Sequence, residues 1–188
     1  DMAAAIGKTM RKGQPLPTLW MMSDERMGDG FLPALARMPK GSGLIFRHYA
    51  TPAAQRRALF DAARRIARAR RMVIMLAGRV QAATAWRADG VHGGGRFYTP
   101  QSLLRTMPVH NRRELRMAEY CGADLIFMSP VFPTRSHPGA RTLGRRGLYQ
   151  LAQQAETPVI ALGGMTAHRF KALKSKNIIG WAAIDGLT

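Results

Sequence analysis

Residues 127–144 read FMSPVFPTRSHPGARTLG: three prolines, Thr134 and Ser136, the cations Arg135 and Arg141, His137, and no carboxylate. Hydroxyls and guanidiniums without competing acids suit an anion, and charge-assisted hydrogen bonds to phosphate are among the strongest a protein makes. Proline stiffens such a loop, so less entropy is lost when it closes. Further along, Gly163-Gly164 ends an apolar run and Thr166 opens a helical one. A backbone without side chains lets its N–H groups approach an anion, and a following helix points positive charge the same way. Asp185-Gly186 ends the last apolar run. Thr134, Ser136, Gly163, Gly164, Asp185 and Gly186 are therefore the candidate phosphate-binding set. The competing reading is a tight turn and a rigid lid kept for folding.

Two other residues are candidates for chemistry. Arg47 stands near the end of the second apolar run, where strand ends deliver chemistry. His110 ends the fifth and could hold or move a proton. With His48 and His92 it could form a zinc triad. Polar residues at strand ends more often satisfy neighbouring backbone groups, and the triad is set aside on that ground.

These residues need elements to hold them. Apolar runs at 18–25, 42–49, 71–78, 89–93, 106–110, 123–129, 157–164 and 177–185 read as eight strands. Amphipathic stretches lie between them. Thr51 is the expected cap of a helix with Pro52 at its first position. Leu59, Ala63, Ile66 and Ala67 face inward on that helix, and Arg57, Arg64, Arg68 and Arg71 face water. Residues 99–105 are expected to form a helical turn or two. Asn111 with Glu114 announces a helix that ends at Gly122. Pro108 lies inside the fifth strand, where it cannot donate to a ladder.

Strand–helix alternation implies parallel strands joined by right-handed crossovers. Eight units give an α/β fold, a (β/α)8 TIM barrel, with chemistry on the loops at the C-terminal strand ends. An open doubly wound sheet is the alternative. Residues 1–16 are expected to be an extension and 17–188 a single barrel domain. So little chain follows the last strand that a complete final helix is not expected; the extension or a homo-oligomer partner would cover the gap.

Charge points the same way. The 188 residues carry 29 Lys plus Arg against 11 Asp plus Glu, a net charge of +18. Such a field draws anions, and a phosphorylated small molecule fits it. The arginines are scattered, and no zinc-finger, aromatic RNA-binding or basic-zipper pattern occurs, which argues against nucleic acid. No apolar run has the length of a membrane span. The single cysteine, Cys121, allows no internal disulfide, as expected of a cytoplasmic chain.

The segments LWMMSDER, ADGVHGG, GADLIFMSPVFPTRSHPG and TPVIALGGM resemble, in order and spacing, the thiamine-phosphate synthase family, which includes the thiazole tautomerases. The resemblance runs from about Leu19 to Leu187 and implies the same barrel. It implies magnesium-assisted condensation of a pyrimidine pyrophosphate with a thiazole phosphate, in the biosynthesis of thiamine. By that resemblance Thr134, Gly163 and Gly164 handle thiazole phosphate and Arg47 meets pyrophosphate. Several family positions are changed. Gly78 and Phe97 stand where metal-binding aspartates are expected, Ile45 and Tyr49 replace a glutamine and a lysine, and Pro108 replaces a hydroxyl residue. The tautomerases' histidine is Pro130 here. Magnesium is bound through carboxylates together with substrate phosphates, so these losses argue against the family's condensation. Two alternatives stand beside it: a non-catalytic binder or sensor of a small phosphate ester, and a polyanion-binding protein.

Overall fold

The structure is a computed structural model that describes residues 15–93, 99–134, 139, 141–173 and 175–184. Eight strands run in order β1 Leu19–Met22, β2 Gly43–Phe46, β3 Val73–Ala77, β4 Gly90–His92, β5 Leu104–Val109, β6 Leu125–Met128, β7 Val159–Leu162 and β8 Ile178–Ala183. Each pairs in parallel with its sequence neighbours, and β8 returns to β1, closing the barrel. The outer helices are α1 Phe31–Arg37, α2 Ala53–Ala69, α3 Val80–Ala85, α4 Arg112–Tyr120, α5 Gly144–Ala152 and α6 Ala167–Lys171. No described helix is long and apolar enough to cross a membrane.

Residues on alternate positions of the strands separate into an inner and an outer layer. Trp20, Met22, Ile45, Met75, Leu125 and Phe127 fill the interior, with Trp20 meeting Phe127 edge-on at 5.4 Å. Small residues make room for the large ones. A Cβ on Gly43 would lie 2.2 Å from the Trp20 ring, and one on Gly180 would lie 2.0 Å from the Thr18 carbonyl oxygen. The outer layer splits into two clusters. One joins β1–β4 to α1–α3 around Phe31, Phe46 and Phe60. The other joins β5–β8 to α4–α6 around Leu115, Leu148 and Trp181. Leu19 touches both.

Three local expectations need correction. The helix after β2 begins one residue later than its sequence signal, with Pro52 itself at the cap and no side-chain cap bond. Pro52 has an extended ψ of 141°, which removes it from the helix. Residues 99–103 form no α-helix. Leu103 N–H donates to the Pro100 carbonyl in a turn, and Leu104 already pairs with Gly90. Pairing with a formed edge outweighs the weak helical propensity of so short a window. On α2, Arg71 lies past the helix end at a φ of 53°.

Pro108 fits because of where β4 stops. Gly93 N–H donates to the Thr106 carbonyl, so even-numbered residues of β5 turn their backbone polar groups toward β4. The last β4 partner is His92, opposite Thr106. The Pro108 nitrogen therefore falls beyond that ladder, and no strand bond is lost. Residues 1–14, which hold most of the expected extension, and 185–188, where a closing helix would start, lie outside the described residues.

Candidate phosphate site and the barrel mouth

All eight strands deliver their C-terminal ends to one rim, and this rim has two unlike sides. On the β6–β7 side, the loop after β6 is sewn to the loop after β7. Val131 N–H donates to the Leu162 carbonyl at 2.8 Å and Phe132 N–H to the Gly163 carbonyl at 3.0 Å. The approach is close enough to require glycine. A Cβ on Gly163 would sit 2.7 Å from Pro130 Cα, and one on Gly164 would sit 2.6 Å from the Pro133 carbonyl oxygen. Both glycines have positive φ, 93° and 59°, a region that costs other residues strain.

A cleft of about 240 Å³ opens there, lined by Thr134, Gly163, Gly164, Thr166, Arg169 and Ile184 among others. Among the described residues no backbone carbonyl accepts from the Gly164 or Met165 amide. The Leu162–Ala182 register instead directs the Gly163 amide along the β7–β8 ladder. Thr166 caps α6, its hydroxyl accepting from Arg169 N–H at 3.2 Å. Arg169, which sequence reasoning did not single out, lays its guanidinium 4.7 Å from the centre of the Phe132 ring and donates to the Gly164 carbonyl. Its only sequence signal is a cation three residues after a helix cap. The structure thus brings together Thr134, Gly163 and Gly164; Ser136, Asp185 and Gly186 lie outside the described residues.

On the β1–β3 side, side chains hold one another. Arg47 donates from Nη2 to Asp24 Oδ2 and from Nε to the Ser23 carbonyl, both at 2.8 Å. Hydrogen bonding from Arg26 holds the Asp24 carboxyl below its usual range, and the Arg47 charge adds to the effect. Glu25 accepts from Ala50 N–H. Beneath them Arg56, also unanticipated, donates to the carbonyls of Arg47 and Ala77 at 2.7 and 3.0 Å. Its guanidinium lies over the rings of Phe46, Tyr49 and Trp86. It ties the ends of β2 and β3 together.

The histidines do not converge. His48, at a φ of 44°, stacks on Phe46 at 4.8 Å and bonds to Ser23 Oγ at 2.8 Å. Burial lowers its pKa against the pull of Glu25 and Asp24. His92 sits edge-on to Phe127 with Nδ1 2.8 Å from Thr106 Oγ1, and burial pushes its pKa down to about 3. It is a neutral ring at the mouth. His110 is exposed and bonds to Glu114 at 2.7 Å. Burial pushes the Glu114 carboxyl up, but hydrogen bonds from His110 and Asn111 carry it below its usual range. That places His110 at the head of α4, beside the Asn111 cap.

Magnesium does not fit these residues. β3 ends on Ala77-Gly78, and around the place of a Gly78 Cβ there is open space instead of an oxygen donor. Asp24 and Glu25 are engaged as described. No group of three His, Cys, Asp or Glu among the described residues could hold a metal. Phe97 lies outside the described residues, and its segment, 94–98, contains no acid.

A closed parallel barrel with its loops gathered on one rim makes this a (β/α)8-barrel protein. Comparison narrows the class. Residues 34–187 match the thiamine monophosphate synthase family, and the chain belongs to it. A putative thiamine-phosphate synthase 2 of Aquifex aeolicus is 29% identical over 181 residues, covering 90% of this chain and 97% of that one. The thiamine-phosphate synthase of Caldivirga maquilingensis is 30% identical over 122 residues, 61% of this chain and 60% of its own length. Among solved structures, the thiamine phosphate pyrophosphorylase of Pyrococcus furiosus superposes with a TM-score of 0.74 at 25% identity, over 90% of this chain and 85% of that one.

Proposed function

We propose that this protein is a thiamine-phosphate-synthase-type barrel that still grips a phosphorylated small molecule and has lost the metal-dependent condensation. The carrying observation is the contrast within one rim. The Gly163-Gly164 turn presents a cleft with open amides and Thr134, while β3 ends without a carboxylate. Phosphate-ester binding needs the first, and stabilising a departing pyrophosphate through magnesium needs the carboxylate that β3 lacks. Arg47 would be the residue nearest a pyrophosphate, and its guanidinium is already matched by Asp24. The protein then acts as a binder or sensor of the ester. Calorimetric titration with a thiazole phosphate, paired with a pyrophosphate-release assay on both family substrates, tests this. Binding without release is expected; magnesium-dependent release at a catalytic rate would overturn it.

A second reading, polyanion binding, has one observation in its favour. Arg112, Arg113 and Arg116 line an open concavity of about 680 Å³ with Met117 and Tyr120, and Tyr120 is 83% exposed. A steep fall in oligonucleotide affinity with salt, abolished by reversing those three charges, would support it.

A further inference from the structure

Resting on the phosphate-ester reading above, we propose that Arg169 neutralises the ligand's phosphate in the β6–β7 cleft, so that the cleft takes a phosphate monoester dianion without a divalent ion. The charge must be met by something, and none of the described residues lining the cleft is a carboxylate that could bring a divalent ion to it. Of the residues lining the cleft, Arg169 alone among those described is ionic.

Its position is set from three directions. Its backbone N–H is held by the Thr166 hydroxyl. Its guanidinium face rests on Phe132, from the loop after β6. One Nη1 donor goes to the Gly164 carbonyl, on the loop after β7. A guanidinium has five N–H donors in a plane, and stacking on a ring leaves that plane's edge available. Arg169 lines the same cleft as Gly164 and Met165, whose amides donate to no described backbone carbonyl. Among the described residues Arg169 pairs with no carboxylate, unlike Arg47, which is bound to Asp24. A permanently charged group, immobilised before the ligand arrives and not yet neutralised, gives the pre-organisation that binding rewards.

The test is calorimetric titration with inorganic phosphate as the probe, in EDTA and in excess magnesium, on wild type, Arg169→Gln, Arg169→Lys and Arg68→Gln. Arg68 is an exposed residue of α2, so Arg68→Gln removes the same net charge away from the cleft. Wild type should bind alike in both buffers, within about twofold. Arg169→Gln should weaken binding about 10- to 100-fold, as expected for a lost charge-assisted hydrogen bond. Arg169→Lys should fall between, and Arg68→Gln should match wild type. Equal effects of Arg169→Gln and Arg68→Gln would overturn the proposal and leave the phosphate-ester reading standing, as would binding that needs magnesium. A wild type that binds no phosphate in either buffer would overturn that reading, and this proposal with it. Thermal unfolding of each variant verifies that the exposed substitutions leave the fold intact.

Discussion

The two sides of the barrel mouth differ in what their polar groups face. On the β1–β3 side, Arg47, Asp24, Ser23, Arg56 and His48 bond to each other and to nearby carbonyls, and the side chains are consumed in holding the rim. On the β6–β7 side, backbone meets backbone through glycines, and Gly164, Met165 and Arg169 line the cleft. A rim satisfied from within has little left to offer a ligand. A rim whose described amides have no carbonyl partner can offer them to an anion. Family membership is common to both sides, so it does not tell them apart; the local hydrogen-bond inventory does.

The comparison can be broken most forcefully at Gly163. Gly163→Ala would bring a methyl against Pro130 Cα at a φ of 93°. A loss of about 3 kcal/mol is expected, measurable by urea unfolding, with phosphate binding abolished. Retained binding would show that the cleft does not depend on the close approach of the two loops.

Arg56→Ala attacks the other side. It deletes bonds to two carbonyls and the ring contacts, at an expected cost of about 2 to 3 kcal/mol. Phosphate affinity should stay within about twofold of wild type. A parallel drop would mean that the sides are coupled.

Acid sharpens the same contrast. In the unfolded chain His92 titrates near 6.5, whereas in the folded protein it titrates at about 3. Between those values only the unfolded chain carries the proton, so stability falls as pH falls. From pH 7.5 to 5 the loss should be about 2 kcal/mol. His92→Gln should flatten that slope in a pH series of unfolding curves; an unchanged slope would assign it elsewhere.

The smallest effect belongs to Gly78→Ala. A Cβ there meets nothing within 4 Å, and only the φ of 140° resists it. About 1 kcal/mol is expected, with phosphate titration unaltered.

Most of the fold is legible in the sequence, because strands buried on both faces are written as continuous apolar runs such as residues 73–77. The close approach of the loops after β6 and β7 is legible too, since glycine doublets and proline-rich loops carry their backbone geometry in their composition. The other side is not. Arg56 reads as one more arginine on a basic helix until the barrel folds its guanidinium beneath Arg47 and Ala77. Arg169 acquires a role only when Phe132, far away in sequence, comes under it. Residues 99–105 misled because so short a window carries no full helical period, and the β4 edge decided the matter.

The division of the outer layer into two packed clusters, meeting at Leu19, carries a consequence for descent. Each side of the mouth stands on its own foundation: the closed network on the aromatic cluster beneath α1–α3, the open cleft on the one beneath α4–α6. A substitution at one end of the wheel can settle without repacking the other. A barrel assembled this way lets one half of its mouth be reworked while the other half keeps its shape.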